Sequence, residues 1–213
     1  MRIAVLGTGG VGQTIAGRAV ELGHEVSMGT RDVEGTLSRD GFVPAAELMT
    51  FAEAAAGADV IVNATSGEVS LAVLGAAGAE SLRDKVVIDI ANPLDFSGGF
   101  PPTLSVKDTD SLGEQIQAAF PEARVVKALN TLTAELMVHP ERVGGGQHTV
   151  FVSGNDPAAK ATVIGLLEEF GHTDVIDLGD ISTCRGTEML LPLWLRIMGS
   201  LGTPMFNVKV VRP

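Results

Sequence analysis

An α/β fold, a doubly wound parallel sheet with a small C-terminal α/β extension, is what this sequence predicts, and three observations predict it. A short β-branched run, Ile3-Ala4-Val5-Leu6, leads directly into the turn Gly7-Thr8-Gly9-Gly10-Val11-Gly12, which opens a helical pattern. Strand-like and helix-like segments then alternate along the chain. The strand-like runs are nearly continuous in apolar residues, as strands buried on both faces of a parallel sheet are.

Taken in order, residues 3–6 read as a strand. Residues 11–22 read as a helix, with Val11, Ile15, Ala19 and Leu22 at helical spacing and Gly23 to end it. Strands follow at 25–28, 59–64, 85–90 and 124–129, separated by helices at 51–56, 69–78 and 110–120. These segments form a dinucleotide-binding Rossmann-like core over residues 1–130. Residues 131–213 form the smaller extension packed on it. It holds a strand at 149–153, a helix opening on Asp156-Pro157 and running to Phe170, a strand at 175–178, a long apolar helix at 188–201 and a last strand at 206–211.

Composition narrows the chemistry. Aromatic residues are 4% of the 213 and Tyr is absent, so the core is aliphatic and the Tyr-x-x-x-Lys arrangement of short-chain dehydrogenases is excluded. A formal net charge of −11 repels phosphate backbones, which argues against a nucleic-acid partner. Any phosphate must be held by local dipoles and a few placed cations. The single cysteine, Cys184, permits no intrachain disulfide and reads as a structural thiol. The apolar stretch at 189–198 is broken by Pro192 and Arg196 and falls short of the roughly 20 residues of a membrane span. A cytoplasmic location without a membrane partner is expected.

The glycine turn carries the first functional reading. In strand–turn–helix context, Gly7 permits the tight turn, Gly9 lets the backbone approach a pyrophosphate, and Gly12 lets helix and strand pack. The helix start at Gly10 and Val11 presents free N–H groups and the positive dipole end. NAD binders usually place an acid at the end of the second strand to grip the ribose. This chain has Thr30-Arg31 there, which suits the 2′-phosphate of NADP(H). The later strands end in Asn63-Ala64-Thr65-Ser66-Gly67, Ile90-Ala91-Asn92-Pro93 and Ala128-Leu129-Asn130-Thr131. Thr65, Asn92, Pro93 and Asn130 are the candidates to border a nicotinamide. No nucleophile elbow is present, and His24, His139, His148 and His172 lack metal-ligand spacing. With no catalytic side chain or metal site to assign, hydride transfer between two bound cofactors is the expected chemistry, since it needs stacking and distance more than a protonating group.

These segments have a family resemblance. The turn Gly7–Gly12, Gly29-Thr30-Arg31, the run Val125-Val126-Lys127-Ala128-Leu129-Asn130-Thr131, the segment Phe151-Val152-Ser153-Gly154-Asn155-Asp156 and the stretch Glu188-Met189-Leu190-Leu191-Pro192-Leu193 resemble the F-420-dependent NADP oxidoreductases over essentially the whole chain. The resemblance implies a compact homodimeric enzyme passing hydride between NADP(H) and the deazaflavin coenzyme F-420. It implies that Thr8, Gly9, Val11, Thr30 and Arg31 hold NADP, with Thr65, Asn92, Pro93 and Asn130 near the nicotinamide. The same segments are similar to the NADPH-binding domain of six-transmembrane metalloreductases. That similarity implies, as the alternative, a flavin or ferric reductase using FMN or FAD, and the loop Asn92-Pro93-Leu94-Asp95-Phe96 lies nearer that version. A third reading, of another class, is an NADP(H)-sensing regulatory protein without turnover.

Overall fold

The computed structural model describes the whole chain, residues 1–213. Its elements in order are β1 (Arg2–Leu6), α1 (Gly10–Glu21), β2 (Glu25–Thr30), α2 (Val33–Leu37), β3 (Glu47–Thr50), α3 (Phe51–Gly57), β4 (Val60–Asn63), α4 (Ser70–Ala77), α5 (Ala79–Leu82), β5 (Val86–Asp89), β6 (Leu94–Asp95), β7 (Thr103–Leu104), α6 (Leu112–Ala119), β8 (Arg124–Ala128), α7 (Ala134–Val138), β9 (Val150–Gly154), α8 (Pro157–Glu169), β10 (Val175–Asp177), α9 (Cys184–Met189) and α10 (Leu191–Leu201). One eight-stranded sheet runs β10-β9-β8-β5-β4-β1-β2-β3, and β6 and β7 form a separate antiparallel pair. This is a Rossmann-like α/β fold. The apolar strands β1, β4, β5 and β8 are buried on both faces because one layer, with α1 and α8, covers one side and another, with α3, α4 and α6, covers the other.

Local chemistry sets the helix ends. Gly23, at φ 82°, stops α1 in a left-handed turn, with its N–H donating to the Val20 carbonyl. Asp156 caps α8 through the Ala159 N–H at 2.8 Å, and Pro157 occupies the first turn. At α3, Thr50 and Glu53 form a reciprocal capping box.

Several expectations are corrected. The sheet is not parallel throughout, because β9 pairs antiparallel with β8 and β10 follows β9. The connection from β8 to β9 carries only the short α7 and two tight turns rather than a sheet-length crossover helix. The chain therefore re-enters the sheet from the end it left. Residues 206–211 form no strand, although the outer edge of β10 stays unpaired. The segment lies instead as an irregular strap, its Val208 carbonyl accepting from the Thr149 N–H at 2.9 Å. The expected helix at 188–201 is two helices, α9 and α10, divided at Leu190. Pro192 has no N–H to offer the Glu188 carbonyl, which breaks the ladder there. The edge strand β3 and the short α2, α5 and α7 lack the length or apolar pattern that would have marked them.

Candidate functional site

The strand order reverses between β1 and β4, and the crevice beyond the carboxyl ends of these strands is where such sheets hold ligands. Gly7 ends β1 there, at φ 120°, and a side chain on it would meet the Ala64 carbonyl at 2.5 Å. A Cβ on Gly12 would stand 2.2 Å from the Gly7 carbonyl, so glycine is required for α1 to fold back onto the strand. Gly9 and Gly10 face open space, with nothing within 4 Å of a Cβ, and no side chain caps α1. The first helical N–H groups are thus left without a side-chain partner beside open space, the arrangement with which a helix start meets a phosphate.

This crevice is the mouth of a cleft of about 740 Å³. One wall is apolar, formed by Phe51 and Ala52 at the start of α3 and by Val69, Ala72, Val73 and Ala76 along α4. The other is polar and comes from the carboxyl end of β2 and the α2 segment. Arg31 is exposed there. The Thr30 and Thr36 hydroxyls lie 2.8 Å apart in a buried pair, and Asp32 caps α2 through the Gly35 N–H at 3.0 Å. Arg39 completes the wall, its guanidinium donating to the Thr8 hydroxyl at 2.6 Å. Apolar slot, hydroxyls and guanidiniums in one cleft fit the adenosine 2′-phosphate half of NADP.

At the carboxyl ends of β4, β5 and β8 the polar residues bind one another closely. The buried Asn63 amide donates to Ser70 Oγ and Asp89 Oδ1, each at 2.9 Å, and its carbonyl accepts from the Thr65 hydroxyl at 2.6 Å. Asn92 donates to the Asn130 main-chain carbonyl at 2.8 Å, and the Asn130 amide donates back to Asn92 Oδ1 at 2.9 Å. Leu129, at φ 59°, makes the left-handed bend that turns Asn130 toward Asn92. Gly67 lets the two loops touch, since a Cβ there would stand 2.2 Å from the Asn92 carbonyl.

Beneath these amides lies a fully buried charge cluster. Lys127 Nζ donates to Asp89 Oδ2 at 2.7 Å, to the Ala91 carbonyl at 2.6 Å and contacts Glu188 Oε1 at 2.8 Å. Glu188 also accepts the Leu112 and Gly113 N–H groups at the start of α6. Burial pulls the Lys127 pKa down, but the Asp89 and Glu188 carboxylates outweigh it and hold the pKa above the ordinary lysine value. Burial pushes the Cys184 thiol up to about 11, so it is no thiolate nucleophile near neutrality.

Of the residues singled out from sequence, Gly7, Thr8, Thr30, Arg31 and Thr65 line the one cleft. Gly9, Gly10, Val11 and Gly12 form the helix start beside it. Asn92, Pro93 and Asn130 lie farther along the sheet edge, and the two amides are committed to each other rather than standing free. Sequence reading placed Asn63 and Gly67 at the end of the third predicted strand without a separate role, and missed Arg39 and the Asp89–Lys127–Glu188 cluster. Only a lysine inside an otherwise apolar strand, Val125-Val126-Lys127-Ala128, could have signalled the last.

Comparison with known proteins agrees with this geometry. The profile of coenzyme F-420-dependent NADP oxidoreductases matches residues 2–93. A solved structure of a candidate F-420-dependent NADP reductase from Arthrobacter sp. FB24 shares 60% identity, covers 99% of each chain and superposes with a TM-score of 0.96. The chain belongs to the F-420-dependent NADP oxidoreductase family. This member is accordingly an NADP-dependent oxidoreductase. The F-420-dependent NADP reductase of Methanothermobacter marburgensis is 28% identical over 209 residues, 92% of each chain. Metalloreductase STEAP3 of Rattus norvegicus is 30% identical over 200 residues, which span 91% of this chain and 38% of the rat protein. No helix of this family member is long and apolar enough to cross a membrane.

Proposed function

We propose that this chain transfers hydride between NADP(H) and coenzyme F-420. The observation that carries the reading is the cleft at the β1–β4 switch point: a glycine cradle at one side and the exposed Arg31 guanidinium at the other, in a chain akin over 92% of its length to an F-420-dependent NADP reductase. The bound cofactors supply the chemistry, hydride donation by a reduced nicotinamide and acceptance by a deazaflavin. The protein binds and orients. Residues Gly7, Gly9, Gly10, Val11 and Gly12 receive the pyrophosphate on the α1 N–H groups. Thr8, Thr30 and Arg31 hold the 2′-phosphate. Thr65, Asn92, Pro93 and Asn130 border the nicotinamide end. No side chain is assigned a proton, because Asp89 and Lys127, the titratable groups beneath that end, are closed off in their own ion pair. Residues 1–130 carry the cofactor and residues 131–213 buttress them, in a cytoplasmic homodimer.

A second reading, NADPH-dependent reduction of FMN, FAD or a ferric chelate, is favoured by the likeness to STEAP3 and by the loop at Asn92-Pro93. One experiment separates the two. NADPH is mixed with the protein and, in turn, F-420, FMN, FAD and a ferric chelate, and absorbance is followed. NADPH-dependent loss of the deazaflavin band is the expected outcome. Turnover with flavin or iron alone would overturn it in favour of the second reading.

A further inference from the structure

We propose that Arg39 is a second 2′-phosphate-reading residue, acting with Arg31 in the same cleft and setting the preference for NADP over NAD. The inference rests on the NADP reading above and names a residue that reading did not include.

Charge pairing points to it first. The chain carries 26 acidic and 15 basic side chains, so carboxylates are in excess. Five basic residues nevertheless make no carboxylate contact: Arg31, Arg39, Lys85, Lys107 and Arg196. Lys85 is committed to the Ala55 and Ala56 carbonyls. Arg31 and Arg39 line the same cleft. The one acid on that lining, Asp32, is engaged as the α2 cap. Two guanidiniums against one carboxylate leave this cleft locally positive in an acidic protein, a site for an anion that the global charge would not provide.

Geometry points the same way. Arg39 is held in a set plane. Its Nε donates to the Thr36 carbonyl at 3.3 Å, its Nη2 to Thr8 Oγ1 at 2.6 Å, and the guanidinium lies 4.6 Å over the Phe42 ring. A guanidinium has five N–H donors, so most remain free to turn toward the cleft. Its partner Thr8 belongs to the glycine turn, and Thr36 shares a hydroxyl pair with Thr30. Arg39 thus ties the pyrophosphate turn to the end of β2, the two elements a 2′-phosphorylated adenosine must touch. A single exposed guanidinium is strongly screened by water, whereas two converging ones can clamp a dianion with several charge-assisted hydrogen bonds.

The test is direct binding, by calorimetry, of NADPH, NADH, 2′,5′-ADP and 5′-AMP to the wild type, R39Q and R39A. R39Q keeps an amide for Thr8 and a stem for Phe42 while removing the charge. The expected result is a loss of about tenfold or more for NADPH and 2′,5′-ADP, the scale of a charge-assisted hydrogen bond, with NADH and 5′-AMP changed less than about twofold. Equal losses for phosphorylated and unphosphorylated ligands would make Arg39 a mere strap for Thr8 and overturn the proposal, as would unchanged binding of all four. A wild type that does not itself prefer NADPH to NADH would instead overturn the NADP reading beneath it.

Discussion

Lys127 is fully buried, yet each of its three ammonium hydrogens meets a protein oxygen, and both carboxylates it touches have further N–H donors. A satisfied cluster of this kind contributes little net stability, but removing one partner leaves buried charge uncompensated. Lys127→Met is therefore expected to destabilise the fold by about 3–5 kcal/mol, read from urea unfolding. Adding Asp89→Asn to that variant should recover part of the loss, and no recovery would mean that the cost lies in packing rather than charge. The glycines of the first turn act at the same scale by what they leave out. Gly7→Ala places a Cβ against the Ala64 carbonyl at a backbone angle unfavourable for alanine, so this single methyl should distort the cradle and abolish NADPH binding in a titration.

Among the elements, the β6–β7 hairpin stands out because it grows from the carboxyl end of β5 through Asn92-Pro93, is pinned by the close approach at Gly67, and carries Phe96 and Phe100 at 59% and 70% exposure. Exposed rings add little to folding, so the double change Phe96→Ala, Phe100→Ala should leave the melting temperature nearly unaltered. If hydride leaves the protein on that side, the change raises the acceptor KM while the NADPH Kd stays constant. A change in NADPH Kd alone would place the hairpin on the nucleotide side instead. At α1 the missing side-chain cap has a clear reason, since a capping oxygen would occupy the N–H groups a phosphate is to use.

Across the whole molecule, the reversed pair β9 and β10 extends the sheet while pointing its own carboxyl ends away from the cleft, and no residue of 131–213 is among those lining it. The chain end is then strapped back onto this pair. Asp174 accepts from the Thr149 hydroxyl at 2.6 Å, from Lys209 at 3.2 Å and from Arg212. The Thr149 hydrogen bond, against the opposing cost of burial, and the Lys209 and Arg212 charges hold the Asp174 pKa below the ordinary carboxylate value. A depressed folded-state pKa gives stability that is present above the unfolded value, about 4, and lost as pH falls through the folded one. Acidification should thus free residues 206–212 in hydrogen exchange before the core opens, and Asp174→Asn should show the same exchange near neutral pH.

Much of this protein is legible in one dimension. The apolar runs marked the strands of the core because strands covered on both faces have little room for polar residues, and Gly7–Gly12 marked the cradle because strand, turn and helix follow one another directly in sequence, although the Ala64 carbonyl that Gly7 must clear lies on another strand end. The pair Thr30-Arg31 is legible for the same reason, lying on the strand next to the turn. The reversed direction of β9 and the loss of the last strand are not, since each depends on how segments distant in sequence meet at the sheet; the break at Leu190 needed only Pro192, whose missing N–H is a local feature. The roles of Arg39 and the Asp89–Lys127–Glu188 cluster are not legible either. Arg39 reaches Thr8 across 31 residues, and the cluster joins Asp89 to Lys127 across 38 and Glu188 to Leu112 across 76. Local periodicity determined most of the strands and helices of the core, and the glycine turn determined where a strand gives way to an open helix start. Only the tertiary structure decided which charges meet, because a charge is defined by its neighbours in space, and the sheet brings together residues that the sequence keeps apart.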